Sequence, residues 1–182
     1  MASLTLRPNT TALVMQDHRL PSLPRKGTSL SYPTLAAFLN AAYCLRHGCT
    51  LLFFHLAEPG CAHPRWGVRH PSYCKLAALA SALAMGHVEH ALWLDSDAWI
   101  QPDAPPLPLL LQASRPAATL PPPTQPASSP AAAGRQPVVS LAWDLPFSSG
   151  PNAGLMLWRG SRRARRLLRT WWHRAMVKAR PS

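Results

Sequence analysis

Short apolar runs alternate with helical segments over the first half of the chain, and this alternation limits the fold more than any other feature. The runs Thr11–Met15, Leu51–Leu56 and His90–Leu94 predict three buried strands. Apolar residues at helical spacing predict two helices between them, over Thr34–Gly48 and Ser72–Gly86. A strand–helix–strand–helix–strand order is typical of an α/β fold, with a mainly parallel sheet and helices on both faces.

Local sequence signals mark the beginning and the end of these two helices. Thr34 and Ser72 are suited to cap their first turns, because a hydroxyl side chain accepts a hydrogen bond from a free backbone amide there. Gly48 and Gly86 follow the last periodic turns, where helices commonly end. The predicted buried face of the first helix is Leu35, Phe38, Leu39 and Ala42. That of the second is Leu76, Leu79, Ala80 and Leu83.

A proline-rich stretch divides the second half of the chain. About half of the 21 prolines lie in residues 102–137, and proline removes backbone donors from regular structure. We therefore expect a disordered insertion at 102–137 within a single domain spanning 1–182. Strands are predicted at Val138–Trp143 and Gly154–Trp158, with a helix beginning at Ser161. The apolar stripe expected on that helix is Ala164, Leu167, Leu168, Trp171, Trp172 and Ala175.

The chain is strongly basic because it has few acids. It carries 19 lysines and arginines against seven aspartates and glutamates, a formal net charge of +12. This balance favours anionic ligands such as nucleotide diphosphates, nucleic acid or lipid headgroups, and does not choose among them. The arginines of the last helix predict a solvated face, with nucleic-acid or membrane contact as the alternatives.

Four cysteines are interleaved with histidines between Cys44 and Cys74. A zinc site is one interpretation, but no C-x-x-C or H-x-x-x-H pair is present. A disulfide such as Cys61–Cys74 is favoured over zinc in an oxidising compartment. Cys44 is interpreted as a small core residue of the first helix.

Two of the seven acids, Asp95 and Asp97, directly follow the third predicted strand. In extended backbone, residues i and i+2 point to the same side, so their carboxylates would lie together at the strand's end. Such a pair needs a cation, and oxygen ligands suit Mg²⁺ or Mn²⁺ bridging a substrate diphosphate. In parallel sheets, ligands bind beyond the carboxyl ends of the strands.

Four segments resemble a known enzyme family. The segment LWLDSDAWI at 92–100 is similar to the Asp-x-Asp strand of glycosyltransferases with the GT-A fold. Three others resemble the galactosyl/mannosyl/xylosyltransferase family in order: NAAYCLRHG at 40–48, HPSYCKLAAL at 70–79 and PNAGLMLWR at 151–159. The resemblance implies a Rossmann-like, three-layer α/β/α GT-A fold, and it covers nearly all of the chain outside the proline-rich stretch.

The resemblance also implies a reaction and its site. Asp95 and Asp97 would hold Mn²⁺ or Mg²⁺ and the diphosphate, with Ser96 near the ribose of the nucleotide. Lys75 would reach the donor phosphates or sugar, Asn152 would bind the donor sugar or acceptor, and Gly154 would allow close backbone approach. The reaction would pass a hexose or pentose from a UDP- or GDP-sugar to a glycan or glycoprotein hydroxyl, with retention of configuration. The Golgi is the implied compartment, and no nucleic-acid partner is expected.

The chain also departs from the family pattern. Family members continue past the final helix with a further acidic segment and a metal-binding histidine, so we expect the C-terminal part to be missing. His173 is interpreted as a helix-surface residue, and no catalytic base or nucleophile is identified. Two alternatives follow: a non-catalytic or truncated nucleotide-sugar-binding domain, and a basic nucleic-acid-binding or zinc-stabilised protein.

Overall fold

The computed structural model describes residues 10–22, 29–57, 60–107, 109, 137–143 and 151–174. Parallel strands and helices come first, followed by an antiparallel strand pair and a final helix. In chain order the elements are β1 (Thr11–Asp17), α1 (Tyr32–His47), β2 (Thr50–His55), β3 (Cys61–His63), β4 (Gly67–Arg69), α2 (Pro71–Ala84), β5 (His90–Leu94), β6 (Val139–Trp143), β7 (Pro151–Arg159) and α3 (Arg162–His173).

Five strands form one mixed sheet in the order β2-β1-β5-β7-β6. β1 pairs in parallel with β2 and β5, whereas β7 runs antiparallel to both β5 and β6. The expectation of a mainly parallel sheet thus holds for strand direction except at β7. Because β7 is reversed, its first residues lie at the edge of the sheet where β1 and β5 end.

Helices cover both faces of the sheet, as the alternating pattern predicts. Along β1, Ala12 and Val14 pack into a cluster with α2 and α3, and Leu13 and Met15 pack into a second cluster with α1. All four side chains are fully buried. Burial of a Leu- or Met-sized side chain contributes about 1.5–3 kcal/mol. The central position of β1 therefore anchors both layers of the core.

Helix α1 is rotated relative to its predicted buried face. Leu35 and Phe38 are 37% and 39% exposed, whereas Asn40 is fully buried. The Asn40 side chain donates to the Ala98 carbonyl at 3.0 Å and accepts from the Ile100 amide at 2.9 Å. These bonds satisfy a polar group inside the core, which periodicity of apolar residues does not anticipate. The other buried residues of the helix are Pro33, Thr34, Ala36, Ala37, Tyr43 and Cys44.

The ends of α1 and α2 differ partly from the prediction. Ser31, and not Thr34, holds the N-cap position of α1, while the predicted end is confirmed by Gly48 at φ 70°. Helix α2 begins at Pro71, and His70 accepts at its cap from the Ser72 amide. Ser72 is therefore inside the helix. Ala80, expected on the buried face, is exposed.

Strand β2 is only partly buried, which corrects the expectation that it is covered on both faces. It forms an edge of the five-stranded sheet, so it has a neighbour on one side only. A short hairpin, β3–β4, occupies the segment that the sequence predicts as a loop. Its three residue pairs carry too little periodicity to be recognised in the sequence.

The cysteines form two disulfides, Cys44–Cys49 and Cys61–Cys74. The predicted Cys61–Cys74 pair is present, and Cys44, although buried, is bonded as well. Because every thiol is paired, the zinc interpretation loses its thiolate ligands in this structure. The Cys61–Cys74 bond ties the β3–β4 hairpin to the first turn of α2.

The last elements match their predicted order. β7 begins at Pro151, three residues before the predicted Gly154, and Ser161 caps α3 by accepting from the Ala164 amide at 3.0 Å. Leu167, expected on the buried stripe, is 40% exposed. Ala175 and most of the proline-rich stretch lie outside the described residues. Within those residues, no helix has the length and apolar character needed to cross a bilayer.

Candidate functional site

A cleft of about 270 Å³ opens at the edge of the sheet where β1 and β5 end. Its polar side chains come from the ends of both strands and from the first turns of α2. They include Asp17, Ser72, Lys75, Asp95, Ser96 and Asp97. Four of the predicted site residues therefore lie together in one cleft. The cleft is at the carboxyl ends of parallel strands, where α/β sheets commonly bind ligands.

The acidic pair lies on a turn and not on an extension of β5. The strand ends at Leu94, and the Asp95 carbonyl accepts from the Ala98 amide at 3.0 Å. The expectation of extended backbone from Asp95 to Asp97 is therefore wrong. Both carboxylates nevertheless line the cleft, Asp97 as an exposed residue and Asp95 at intermediate burial. The turn brings them there because it begins directly at the end of a central strand.

Lys75 and Trp93 hold one oxygen of Asp95. The Lys75 ammonium donates to Asp95 Oδ1 at 3.1 Å and to the Ala153 carbonyl at 3.0 Å. The Trp93 indole donates to the same Asp95 oxygen at 2.9 Å. Lys75 is nearly buried and also lies 5.4 Å from the Trp93 ring centroid, within cation–π range. The predicted contact of Lys75 with donor phosphates stays a prediction, since in this structure its partners are protein groups.

Gly154 and Asn152 reach the site through the reversed strand β7. The Asp95 amide donates to the Gly154 carbonyl at 3.0 Å, and the Gly154 amide donates to Asn152 Oδ1 at 2.6 Å. A Cβ atom at Gly154 would lie 2.9 Å from Asp95 Oδ2 and 2.9 Å from Asn152 Oδ1. The close approach that glycine permits here is to the Asp95 carboxylate. The predicted sugar contact of Asn152 stays a prediction.

Asp17 is a residue of this cleft that the sequence analysis did not single out. It ends β1, is buried, and accepts from Arg19 through Nε at 2.8 Å and Nη2 at 2.9 Å. The Ser96 hydroxyl is a further hydrogen-bond partner. Burial acts to raise the pKa of Asp17, but the hydrogen bonds from Arg19 and Ser96 outweigh it and hold that pKa well below its ordinary range. Its place two residues after the predicted strand Thr11–Met15, comparable to that of Asp95 after the third predicted strand, was the signal for it.

The carboxylates of the cleft fit Mg²⁺ or Mn²⁺ only if a bound substrate supplies further oxygen ligands. Among the described residues, no group of three His, Cys, Asp or Glu side chains is placed to hold a metal ion. Mg²⁺ is commonly held by one or two carboxylates, with water and substrate phosphate oxygens completing its octahedron. Asp95 and Asp97 offer that number of carboxylates in one cleft. These residues therefore fit a metal that arrives with a diphosphate.

Similarity to known proteins is found in structure alone. No family model and no curated protein sequence matches this chain. The chain is similar to the crystal structure of a glycosyltransferase involved in the glycosylation of the major capsid of PBCV-1, with a TM-score of 0.53 and 16% identity. The match covers 89% of this chain and 65% of that one, so the chain spans about two thirds of its neighbour's length.

This structural match supports the sequence resemblance to glycosyltransferases at a coarse level. At this identity the match shows a shared fold, a mixed α/β architecture also present in a glycosyltransferase. It does not extend to the galactosyl/mannosyl/xylosyltransferase family, which no comparison identifies.

Proposed function

We propose that this chain binds a nucleoside-diphosphate sugar through Asp95 and Asp97 together with Mn²⁺ or Mg²⁺. The observation that carries the proposal is the placement of both carboxylates in one cleft, at the end of a central strand, in a fold shared with a glycosyltransferase. The reaction proposed for it is transfer of a hexose or pentose to a glycan or glycoprotein hydroxyl. Retention of configuration rests on the family resemblance of the four sequence segments.

Asp95 and Asp97 have distinct parts in the proposed donor binding. Asp97, which is exposed, faces the incoming ion, while Asp95 is oriented by Lys75 and Trp93. A fixed carboxylate loses little further freedom when the complex forms, which favours binding. When bound, the metal would neutralise charge on the departing nucleotide.

The two disulfides bear on the compartment. Stable disulfides are typical of proteins that fold in oxidising surroundings, such as the secretory pathway. This supports the proposed Golgi location, which is part of that pathway.

Calorimetric titration tests the donor site. UDP and GDP are titrated into the protein with and without Mn²⁺, and the wild type should bind one of them only when the metal is present. Asp97→Asn should weaken that binding at least about ten-fold, because an ion-binding carboxylate becomes a neutral amide. Asp103→Asn is the matched control, since Asp103 is exposed and does not line the cleft.

Unchanged affinity in Asp97→Asn would contradict the site assignment. Equal affinity for the nucleotide with and without Mn²⁺ would contradict the metal.

Turnover is a separate question from donor binding. Release of UDP or GDP from the matching sugar nucleotide, measured with and without a glycan acceptor, distinguishes the two forms of the proposal. Metal-dependent binding without any release would favour the alternative of a non-catalytic nucleotide-sugar-binding domain.

A further inference from the structure

The hairpin β3–β4 and the end of helix α3 form a basic surface away from the acidic turn. The sequence has no aspartate or glutamate at positions 59–88 or after Asp144, so both segments lack acids. A cavity of about 340 Å³ lies at the end of α3, and the described residues that line it are Arg169, Thr170, His173 and Arg174. All four are exposed. Three of them are basic and the fourth carries a hydroxyl, so this basic cavity is suited to bind an anion.

A pair of histidines joins the basic cavity to the hairpin. His63 Nδ1 accepts from the backbone amides of Arg65 and Trp66 at 3.0 and 3.1 Å, so its proton lies on Nε2. That Nε2 donates to His173 Nδ1 at 3.2 Å. As a neutral imidazole, His173 then carries its own proton on Nε2. The ring that lines the cavity therefore has a second hydrogen-bond donor to offer a ligand.

An exposed tryptophan lies close to this histidine pair. Trp66 is 43% exposed in the turn of the hairpin, next to Gly67 at φ 68°. The His63 ring lies 6.4 Å from the Trp66 ring and 5.2 Å from the His173 ring. The Arg65 guanidinium lies 4.8 Å from the Trp66 ring centroid. An exposed indole can stack on the apolar face of a sugar ring, whereas a free phosphate or sulfate ion gains nothing from it.

Arg69 offsets the negative charge that the end of a helix would present to an anion. The last carbonyls of a helix carry partial negative charge, which disfavours an anion there. The buried Arg69 side chain donates to the carbonyls of Trp172 and Arg174. A ligand at the basic cavity therefore meets cationic side chains next to carbonyls that already have a cationic partner.

We propose that the basic cavity and Trp66 together bind an anionic glycan, with carboxylate or sulfate groups, as the acceptor of sugar transfer. The acceptor role rests on the proposed function. Arg169 and Arg174 bind the acidic groups, and Trp66 stacks on a neighbouring sugar ring. The two disulfides favour an oxidising compartment, where glycans are the extended polyanions that a basic surface meets.

The first turn of α2 connects this surface to the cleft. Helix α3 runs antiparallel to α2, because Arg165 near its start reaches the Leu83 carbonyl at 3.5 Å while Arg69, just before α2, holds its end. The Cys61–Cys74 bond ties the hairpin to the first turn of α2, where Ser72 lines the cleft. A glycan at the basic cavity is therefore held at the end of the molecule that contains the cleft.

Calorimetric titration of the full chain with short oligosaccharides tests the proposal, with no nucleotide or metal present. The acidic probes are a heparin tetrasaccharide, which carries sulfates, and tetragalacturonate, whose acidic groups are all carboxylates. Maltotetraose is the neutral counterpart. One acidic probe or both should bind at least about ten-fold more tightly than maltotetraose, and the comparison between the two identifies the acidic group.

Two variants of the surface separate charge from stacking. Arg169→Gln with Arg174→Gln should weaken binding of the acidic probe at least about ten-fold, because two charge-assisted partners are lost. Trp66→Ala should weaken it about five-fold, although the net charge is unchanged.

The matched control removes equal charge from the same helix. Arg162→Gln with Arg163→Gln replaces two exposed arginines in the first turn of α3, about 10 Å along the helix from Arg169. This control should keep wild-type affinity within about two-fold, since short probes do not reach it. Circular dichroism of each variant checks that the helices are retained.

Four results would overturn the proposal. Two are the failure of both acidic probes to bind and an equal loss in the cavity variant and the control. The third is full affinity in Trp66→Ala, which would reduce the surface to charge attraction alone. The fourth is tighter binding of a single-stranded oligonucleotide of equal charge at the same salt.

Failure of this proposal and failure of the donor site are distinguishable. Titration with UDP and GDP in Mn²⁺ reports on the cleft, and Arg169→Gln with Arg174→Gln should bind the nucleotide like the wild type because Asp95 and Asp97 are intact. Glycan binding without nucleotide binding would contradict the donor site and the acceptor role while confirming the glycan surface.

Discussion

The ammonium group of Lys75 lies 3.1 Å from Asp95 Oδ1, an oxygen that also accepts from the Trp93 indole at 2.9 Å. The lysine side chain is 11% exposed and the aspartate side chain 44%. Two buried or nearly buried side chains therefore bind one oxygen of this carboxylate, while the Asp95 side chain also lines the cleft. Asp95 therefore belongs to the proposed ligand site and also to the hydrogen-bond network that orders this site.

A double-mutant cycle should measure this pair. Lys75→Met is expected to lower the free energy of unfolding by about 1–2 kcal/mol, because it removes a charged donor from a partly buried carboxylate. In an Asp95→Asn background the same substitution should cost less, since the negative charge is gone. Urea denaturation of the four proteins gives the coupling energy. Additivity within about 0.5 kcal/mol would show that the pair contributes no coupling.

Gly154→Ala should disturb the acidic turn. The new Cβ would lie 2.9 Å from Asp95 Oδ2, so the carboxylate or β7 must shift, at a cost of about 1–3 kcal/mol. Metal-dependent nucleotide binding should weaken in parallel. Gly86→Ala is the control, because nothing lies within 4 Å of a Cβ there. Thermal melts and calorimetry compare the two variants. Equal behaviour would mean that the contact at Gly154 is not limiting.

Asp17 should make stability depend on acid pH. The folded-state pKa lies below the ordinary value because hydrogen bonds from Arg19 and Ser96 outweigh the effect of burial. The unfolded chain therefore takes up this proton first. The stabilisation is complete above about pH 5 and is lost as pH falls through the unfolded pKa of about 3.9 towards the folded one.

The variant Asp17→Asn tests the direction of this pH dependence of stability. At pH 7 the variant should be about 1–3 kcal/mol less stable than the wild type, and the gap should narrow at pH 3. Asp103→Asn, at an exposed position, should stay within about 0.5 kcal/mol of the wild type at pH 7. Urea denaturation at both pH values provides the comparison. A gap for Asp17→Asn that widens in acid would contradict the assignment.

The two disulfides should contribute unequally. Cys61–Cys74 spans 13 residues and Cys44–Cys49 spans five. Loop-closure entropy then gives about 3 kcal/mol for the longer bond and about 2 kcal/mol for the shorter one. Replacing each pair by serines and measuring urea denaturation tests the order. The reverse order would show that factors other than chain entropy dominate. Loss of Cys61–Cys74 should also weaken nucleotide binding, since Cys74 adjoins Lys75 on α2.

The secondary-structure elements with strong local sequence patterns were predicted well. The boundaries of β5 are as expected, and the order of β1, α1, β2, α2 and β5 follows from the periodicity of apolar residues. The place of Asp95 at a strand end needed only that pattern.

The features missed by the sequence analysis depend on long-range partners. The rotation of α1 depends on two hydrogen bonds about 60 residues away in the chain: Asn40 donates to the Ala98 carbonyl and accepts from the Ile100 amide. The importance of Asp17 depends on β1 lying next to β5 in the sheet, which fixes the distance to Ser96. The reversal of β7 depends likewise on strand pairing. Such partners are not encoded in the spacing of residues along one segment.

The reversed strand β7 has a practical consequence for engineering. Gly154 meets Asp95 through the pairing of Leu94 with Leu155, and this register is set by strand hydrogen bonds. The number of residues between β5 and β6 does not enter that register. Any redesign of the acidic turn should therefore keep the pairing of β5 with β7, because that pairing alone brings Gly154 to Asp95.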